Sequence, residues 1–253
     1  MARPVALITG ATSGLGAEFA QQLARSQHDL VLVARTVAKL EAKAVRLRTD
    51  FGIHVEVLPA DLLTDDGVAA VSARLAERER PVSVLVNNAG FSLVTAFENS
   101  TVEEETEHLR ILALAPMQLT HAVLGGMLER RNGRIINVSS VSGFIPRGTY
   151  GAAKAWLTSF SRSANLRYGP RGVQVTAVCP GFVHTEFHQR MGANMSGIPR
   201  WMWLNPDQVV REGLAANAAG KAVSIPSKRY ATLIALSKWV PDKLAAAAGN
   251  RGR

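Results

Sequence analysis

Along this chain, apolar β-branched runs alternate with stretches whose apolar residues recur every three or four positions. The first run, VALITG (5–10), reads as a strand, and Leu15, Phe19 and Leu23 behind it fall four apart on one helical face. The pattern repeats. DLVLVAR (29–35) precedes a charged helix over 36–49, and HVEVLPAD (54–61) precedes a helix around 65–79. VSVLVNNAG (82–90) leads to a long helix over about 102–130, and GRIINVSS (133–140) to a helix over about 149–168. VQVTAVCPG (173–181) runs into an irregular stretch, 182–204, then a helix over 206–219, a short strand near 222–225 and a last helix near 228–247. This is the alternation of βαβ units. It predicts an α/β fold, a doubly wound parallel sheet with helices on both faces and ligands outside the carboxyl ends of the strands. No linker, internal repeat or low-complexity tract beyond AAAAGNRGR divides the chain, so 1–253 reads as one domain.

A chain of 253 residues can bury a full core. Its unbroken apolar blocks fall short of the run of about 20 that spans a bilayer, and its start lacks the pattern of a signal peptide. The one cysteine, Cys179, allows no internal disulfide and suits a reducing, cytoplasmic setting. The formal net charge is +9, and the excess gathers near the C-terminus: Lys221, Lys228, Arg229, Lys238, Lys243, Arg251 and Arg253 face only Asp242 there. A solvated end is the default reading, with an anionic carrier, an acidic lipid surface or nucleic acid as alternatives. Nucleic acid is the weakest of these, since no zinc-finger spacing, RNP aromatics or basic region with heptads is present.

TGATSGLG (9–16) lies between the first strand and the first helix. In that place Gly10 permits a tight turn, Gly14 lets backbone approach a pyrophosphate, and Gly16 lets helix pack on strand, while the helix N-terminus offers amides and positive dipole. The spacing is G-x-x-x-G-x-G rather than G-x-G-x-x-G. An acid closing the second strand would bind a ribose hydroxyl. Here Arg35 stands there, able to hold a 2′-phosphate in bidentate fashion, with Thr36 and Lys39 beside it, which favours NADP(H) over NAD(H). Asp61 fits either an adenine contact or a helix cap.

Tyr150 and Lys154 fall at i and i+4, just after Ser139 and Ser140. Reducing a ketone needs a proton donor at the oxygen. A phenol can serve, and a cation on the same helix face lowers its pKa. A nearby hydroxyl can hold the carbonyl oxygen.

Taken in order, residues 9–16, NNAG (87–90), Ser140, Tyr150, Lys154 and PGFVHT (180–185) strongly resemble the classical short-chain dehydrogenase/reductases over about residues 4–226. The resemblance implies a Rossmann-like sheet of about seven strands. It implies Tyr150 as acid/base, Lys154 as its pKa-lowering and ribose-binding partner, and Ser140, rather than Ser139, as substrate holder. To the nicotinamide nucleotide it assigns Thr9, Gly10, Thr12, Ser13, Gly14, Leu15, Gly16, Arg35, Asp61, Leu62, Asn88, Ala89, Gly90, Tyr150, Lys154, Pro180, Gly181, Val183 and Thr185. It also implies a homodimer or homotetramer paired through the long helix and the Tyr150 helix.

The chain departs from the family pattern twice. Leu112 stands where the family has an Asn that takes part in a water-mediated relay with the Lys. Either the relay runs through backbone and another water, or turnover is slower, or the protein is a nucleotide-binding sensor. The span from Ser140 to Tyr150 is also short.

Other features weigh less. His184 and His188 flank Glu186 in an order unlike a metalloprotease, so no metal is expected. No G-x-S-x-G elbow appears, and Cys179 reads as a core residue. The Met- and Trp-rich stretch 187–204, with Phe91, Phe144 and Ile145, suits a roomy apolar pocket and hence a small hydrophobic carbonyl substrate, an acyl chain or a ring. The last helix is expected to dock on the domain, with a second subunit or a membrane surface as alternatives.

Overall fold

The computed structural model describes residues 3–186, 197–237 and 239–241. The strands are β1 (Val5–Thr9), β2 (Asp29–Ala34), β3 (Val55–Pro59), β4 (Val82–Asn87), β5 (Gly133–Val138), β6 (Val173–Val178), β7 (Phe182–Val183), β8 (Trp203–Leu204) and β9 (Val223–Ser224). Seven of them form one sheet in the order β3-β2-β1-β4-β5-β6-β9, with every pairing parallel. The order reverses between β1 and β4, which opens a crevice at their carboxyl ends.

Alternating residues of each strand feed two cores, as the period of two requires. Ala6, Ile8, Leu30, Leu32, Val84, Val86 and Ile136 face one side. There they meet α1 (Gly14–Arg25), α2 (Val37–Phe51) and a later helix (Pro206–Ala218). Val5, Leu7, Val31, Val33, Leu85 and Ile135 face the other. There they meet α3 (Asp65–Ala76), a long helical run and a further helix (Gly148–Tyr168).

The long run is α4 (Val102–Leu109), a π-helical turn (Arg110–Leu114) and α5 (Ala115–Glu129). The helices that follow are α6 (Gly148–Tyr168), α7 (Pro206–Ala218) and α8 (Lys228–Ser237). By length and composition the run over Val102–Glu129 is apolar enough to cross a membrane, which corrects the expectation drawn from unbroken apolar blocks. Here its apolar positions Leu112, Ala115, Leu119, Val123 and Met127 pack into the second core.

The stretch read as irregular holds order at both ends. β7 pairs with β8 in parallel, Phe182 opposite Trp203 and Val183 opposite Leu204. Residues 187–196 between them, with His188, lie outside the described residues, as do Lys238 and most of the basic tail. The last helix docks as expected, burying Tyr230 and Ile234 against the domain.

Candidate active site

The glycine turn is built as its spacing requires. Gly10 and Gly14 hold φ of +66° and +54°, a region L side chains rarely adopt. A Cβ on Gly16 would fall 2.2 Å from the Gly10 carbonyl oxygen and 2.4 Å from Asn88 Nδ2, so only glycine lets α1 sit this close to the turn. Ser13 is the N-cap of α1 but makes no capping bond, and no acid occupies the first turn. The helix therefore turns uncapped amides and an uncompensated positive end toward the crevice, a setting that fits a pyrophosphate. Thr12 and Ser13 are partly buried within this turn, and Leu15 packs on the first core.

Thr9 and the NNAG turn fasten β1 to β4. The buried Thr9 hydroxyl donates to Val86 O (3.3 Å) and accepts from the Asn88 and Ala89 amides (2.9 and 3.0 Å). Asn88 Nδ2 returns to Thr9 O and Gly10 O (2.9 and 3.3 Å). Asn87 turns inward, donating to Asn137 Oδ1 on β5 (2.8 Å) and Thr120 Oγ1 on α5 (3.3 Å). Asn137 in turn donates to Ser161 Oγ on α6 (2.9 Å).

Arg35 stands exposed just past β2. The Ala11 amide donates to Val33 O (3.2 Å), which brings the glycine turn to the same strand end. Asp61 is not the cap of α3. Thr64 is, accepting from Gly67 N at 3.0 Å, while Asp61 Oδ1 accepts from Leu63 N at 3.0 Å. Leu62 is buried beneath.

Beyond β6, Val141 N donates to Pro180 O (3.0 Å), joining this loop to the serine turn. Val183 is buried, and Thr185 lies 3.4 Å from where a Cβ on Gly14 would sit. Gly181 is fixed by a distant residue, for a Cβ there would lie 1.9 Å from the Tyr230 ring. The two turns and the β6 loop thus meet at one crevice, and Gly90 abuts Leu112.

Ser140, Tyr150 and Lys154 meet at the end of β5. The two serines take different parts. Ser139 Oγ donates to Lys154 O (2.9 Å) and lies 2.8 Å from Thr158 Oγ1, bolting β5 to α6. Ser140 Oγ accepts from Ser142 N (3.1 Å) and lies near enough to Tyr150 to pull its phenol slightly down. The short span between Ser140 and Tyr150 is taken up by a 3-10 turn, Val141–Phe144, and by Gly148 at φ +57° opening α6. Lys154 Nζ is buried, donates to Val138 O (2.7 Å) and sits 5.7 Å from the Tyr150 ring centroid.

The electrostatics correct one expectation. Burial pushes the Tyr150 phenol up to about 12, against smaller downward pulls from Ser140 and Arg147, and burial pushes the Lys154 ammonium down to about 8. Desolvation thus outweighs any lowering of the phenol by Lys154, whose ammonium is turned to a backbone carbonyl. The phenol therefore keeps its proton at neutral pH.

His108 and Glu105 were missed in the sequence. His108 is fully buried on α4, and its ring stacks on Tyr150 at 6.0 Å and 15°. Its place four residues before Leu112, on the same helix face, was the available signal. Leu112 itself is buried in the second core. Cys179 is buried, and burial pushes its thiol up to about 11, as befits a core residue. His184 stacks on Trp203 at 4.8 Å, and no cluster of metal-ligating side chains occurs among the described residues.

Known proteins resemble this chain in sequence and in fold. Residues 4–196 match the family model for short chain dehydrogenase. The chain is 30% identical to a very-long-chain 3-oxoacyl-CoA reductase-like protein of Arabidopsis thaliana, over 94% of this chain and 78% of that one. A short-chain dehydrogenase from Sphingobium yanoikuyae, solved in complex with NADPH, superposes with a TM-score of 0.85 at 36% identity, covering 94% of both chains. A bulky-bulky ketone specific alcohol dehydrogenase from Comamonas testosteroni gives a TM-score of 0.80 at 31% identity, over 94% of this chain and 93% of that one. A likeness that extends from the glycine turn through the Tyr150 helix makes this chain a member of the short-chain dehydrogenase family.

Proposed function

We propose that the protein is an NADP(H)-dependent carbonyl reductase acting on a bulky hydrophobic ketone, a 3-oxoacyl thioester or a ring ketone. The observation that carries this reading is the meeting of Ser140, Tyr150 and Lys154 at the carboxyl end of β5, beside the glycine turn. The cofactor is NADP(H), and when bound it supplies the hydride. The crevice fits it: the uncapped start of α1 suits the pyrophosphate, and exposed Arg35 suits a 2′-phosphate.

In this reading the Ser140 hydroxyl holds the substrate's carbonyl oxygen. Tyr150 gives its phenolic proton to that oxygen as hydride reaches the carbon, so the products are an alcohol and a phenolate. Lys154 holds the nicotinamide ribose and steadies the phenolate. Near pH 7 Tyr150 carries the proton that reduction needs. Phe91, Phe144 and Ile145 supply apolar wall, all partly buried near the site. Exposed Trp156 and Leu166 on α6 support pairing with a second copy through that helix.

A nucleotide sensor without turnover is the second reading, and Leu112 favours it, since a leucine cannot hold a relay water. One experiment separates the two. NADPH and NADH are titrated into the protein, then oxidation of the nicotinamide is followed with bulky ketones and 3-oxoacyl thioesters. The reductase reading expects NADPH to bind more tightly than NADH and to turn over, with Tyr150→Phe losing at least about 100-fold in kcat while still binding NADPH. Tight binding with no turnover across the panel would leave the sensor.

A further inference from the structure

The face that α4 turns toward α6 carries a polar pair that the Ser140–Tyr150–Lys154 chemistry leaves unused. His108 is buried completely between Phe91, at 5.6 Å, and Tyr150, at 6.0 Å between ring centroids. Neither of its ring nitrogens completes a hydrogen bond of normal geometry among the described residues. Glu105 Oε2, equally buried and also without such a bond, lies 3.8 Å from His108 Nδ1. The other Glu105 oxygen accepts from the Ser100 hydroxyl at 2.9 Å, which fixes the carboxylate from the loop before α4. Burying an imidazole and a carboxylate oxygen with incomplete hydrogen bonding is costly, and the fold would be served at this place by an apolar residue. The pair sits one turn before Leu112, on the helix face where a polar side chain is missing.

We propose that His108, backed by Glu105, is a positioning residue for Tyr150: its neutral ring fixes the phenol from the α4 side and supplies the polar group that position 112 lacks. This rests on the reductase reading of Tyr150.

The groups facing His108 set its charge. Burial pushes its imidazole down, Lys154 on α6 pushes it further, and Glu105 and the Phe91 backbone pull it up. The lowered value keeps the ring neutral near pH 7. Protonation at lower pH would put a second cation beside Lys154 and draw the ring toward Glu105, off the phenol. Reduction should therefore show an acid limb in kcat with a midpoint below 6.5. Tyr150 and Lys154, which titrate at about 12 and about 8, cannot supply such a limb.

The test compares wild type with His108→Leu and with His108→Gln, a polar side chain that cannot titrate here. In His108→Leu, kcat should fall about tenfold or more while KM and the NADPH dissociation constant stay within about twofold. In His108→Gln, which also covers the chance that the leucine variant misfolds, more of the rate should survive and the acid limb should vanish. An unchanged kcat in His108→Leu, or the same acid limb in His108→Gln, would overturn the proposal. If wild type turns over no ketone, the reductase reading has failed on its own, and an NMR titration of the His108 imidazole then decides this one. The resonance is assigned by its loss in His108→Gln. Its midpoint should rise in Lys154→Met, because a cation that lowers it has gone, and an unmoved midpoint would sink the coupling.

Discussion

Lys154 is the residue on which stability and activity part company. Its ammonium is buried against Val138 O and titrates near 8, below the ordinary 10.5. Above about pH 8 the folded protein therefore loses a proton that the unfolded chain keeps until about 10.5. Between about pH 8 and 9 this group makes the protein more stable as pH rises, before Cys179, pushed up to about 11, acts in the opposite sense above about 9 and Tyr150 above about 10. Ketone reduction should fall through the same window as the cation is lost. The expected outcome is a rate that declines through about pH 8 while urea midpoints rise between about pH 8 and 9, with Lys154→Met removing the rise. Denaturant titrations and initial rates at the same pH values check it. The i,i+4 spacing of Tyr150 and Lys154 was legible in the sequence. The sign of the phenol shift was not, because it depends on how much water the folded site excludes, which spacing does not encode.

At the scale of elements, the strand runs and most helices were readable because each core face repeats with the period of its element. Val5 and Leu7 face one core, Ala6 and Ile8 the other. The start of α4 was also written locally, as a capping box in which Thr101 Oγ1 accepts from Glu104 N and Glu104 Oε2 from Thr101 N. The π-helical turn Arg110–Leu114 was not legible. Pro116 has no N–H to give the Leu112 carbonyl, and a proline two residues into α5 reads equally well as an ordinary helix start. Four elements, β4, β5, α5 and α6, are then tied by the chain from Thr120 through Asn87 and Asn137 to Ser161. Asn137→Ala removes the middle of that chain and leaves Asn87 without its shortest bond. It should cost about 2–3 kcal/mol, read as a lowered urea midpoint at unchanged slope.

At the scale of the molecule, the site depends on the end of the chain. Tyr230, on α8, donates its hydroxyl proton to Met202 O (2.8 Å) and accepts from Phe182 N (3.1 Å). One phenol thus joins this helix to β7 and to the turn that leads into β8, and its ring fills the space that Gly181 leaves open. The sequence showed an apolar final helix with flanking basic residues and led to docking as the default, but a contact across 48 residues leaves no local trace. Tyr230→Phe keeps the ring against Gly181 and removes only the two hydrogen bonds. The cost in stability should be modest, about 1–3 kcal/mol, since the Phe182 amide and the Met202 carbonyl both lose a partner. The Ser140–Tyr150–Lys154 cluster itself is anchored elsewhere, by Ser139 and Thr158 and by the Asn137 network. Substrate binding should therefore suffer more than chemistry, with KM for a bulky ketone rising several-fold while kcat and NADPH binding stay near wild type. A variant whose kcat fell instead would mean that the β7–β8 frame positions the reacting carbonyl and not merely the pocket wall.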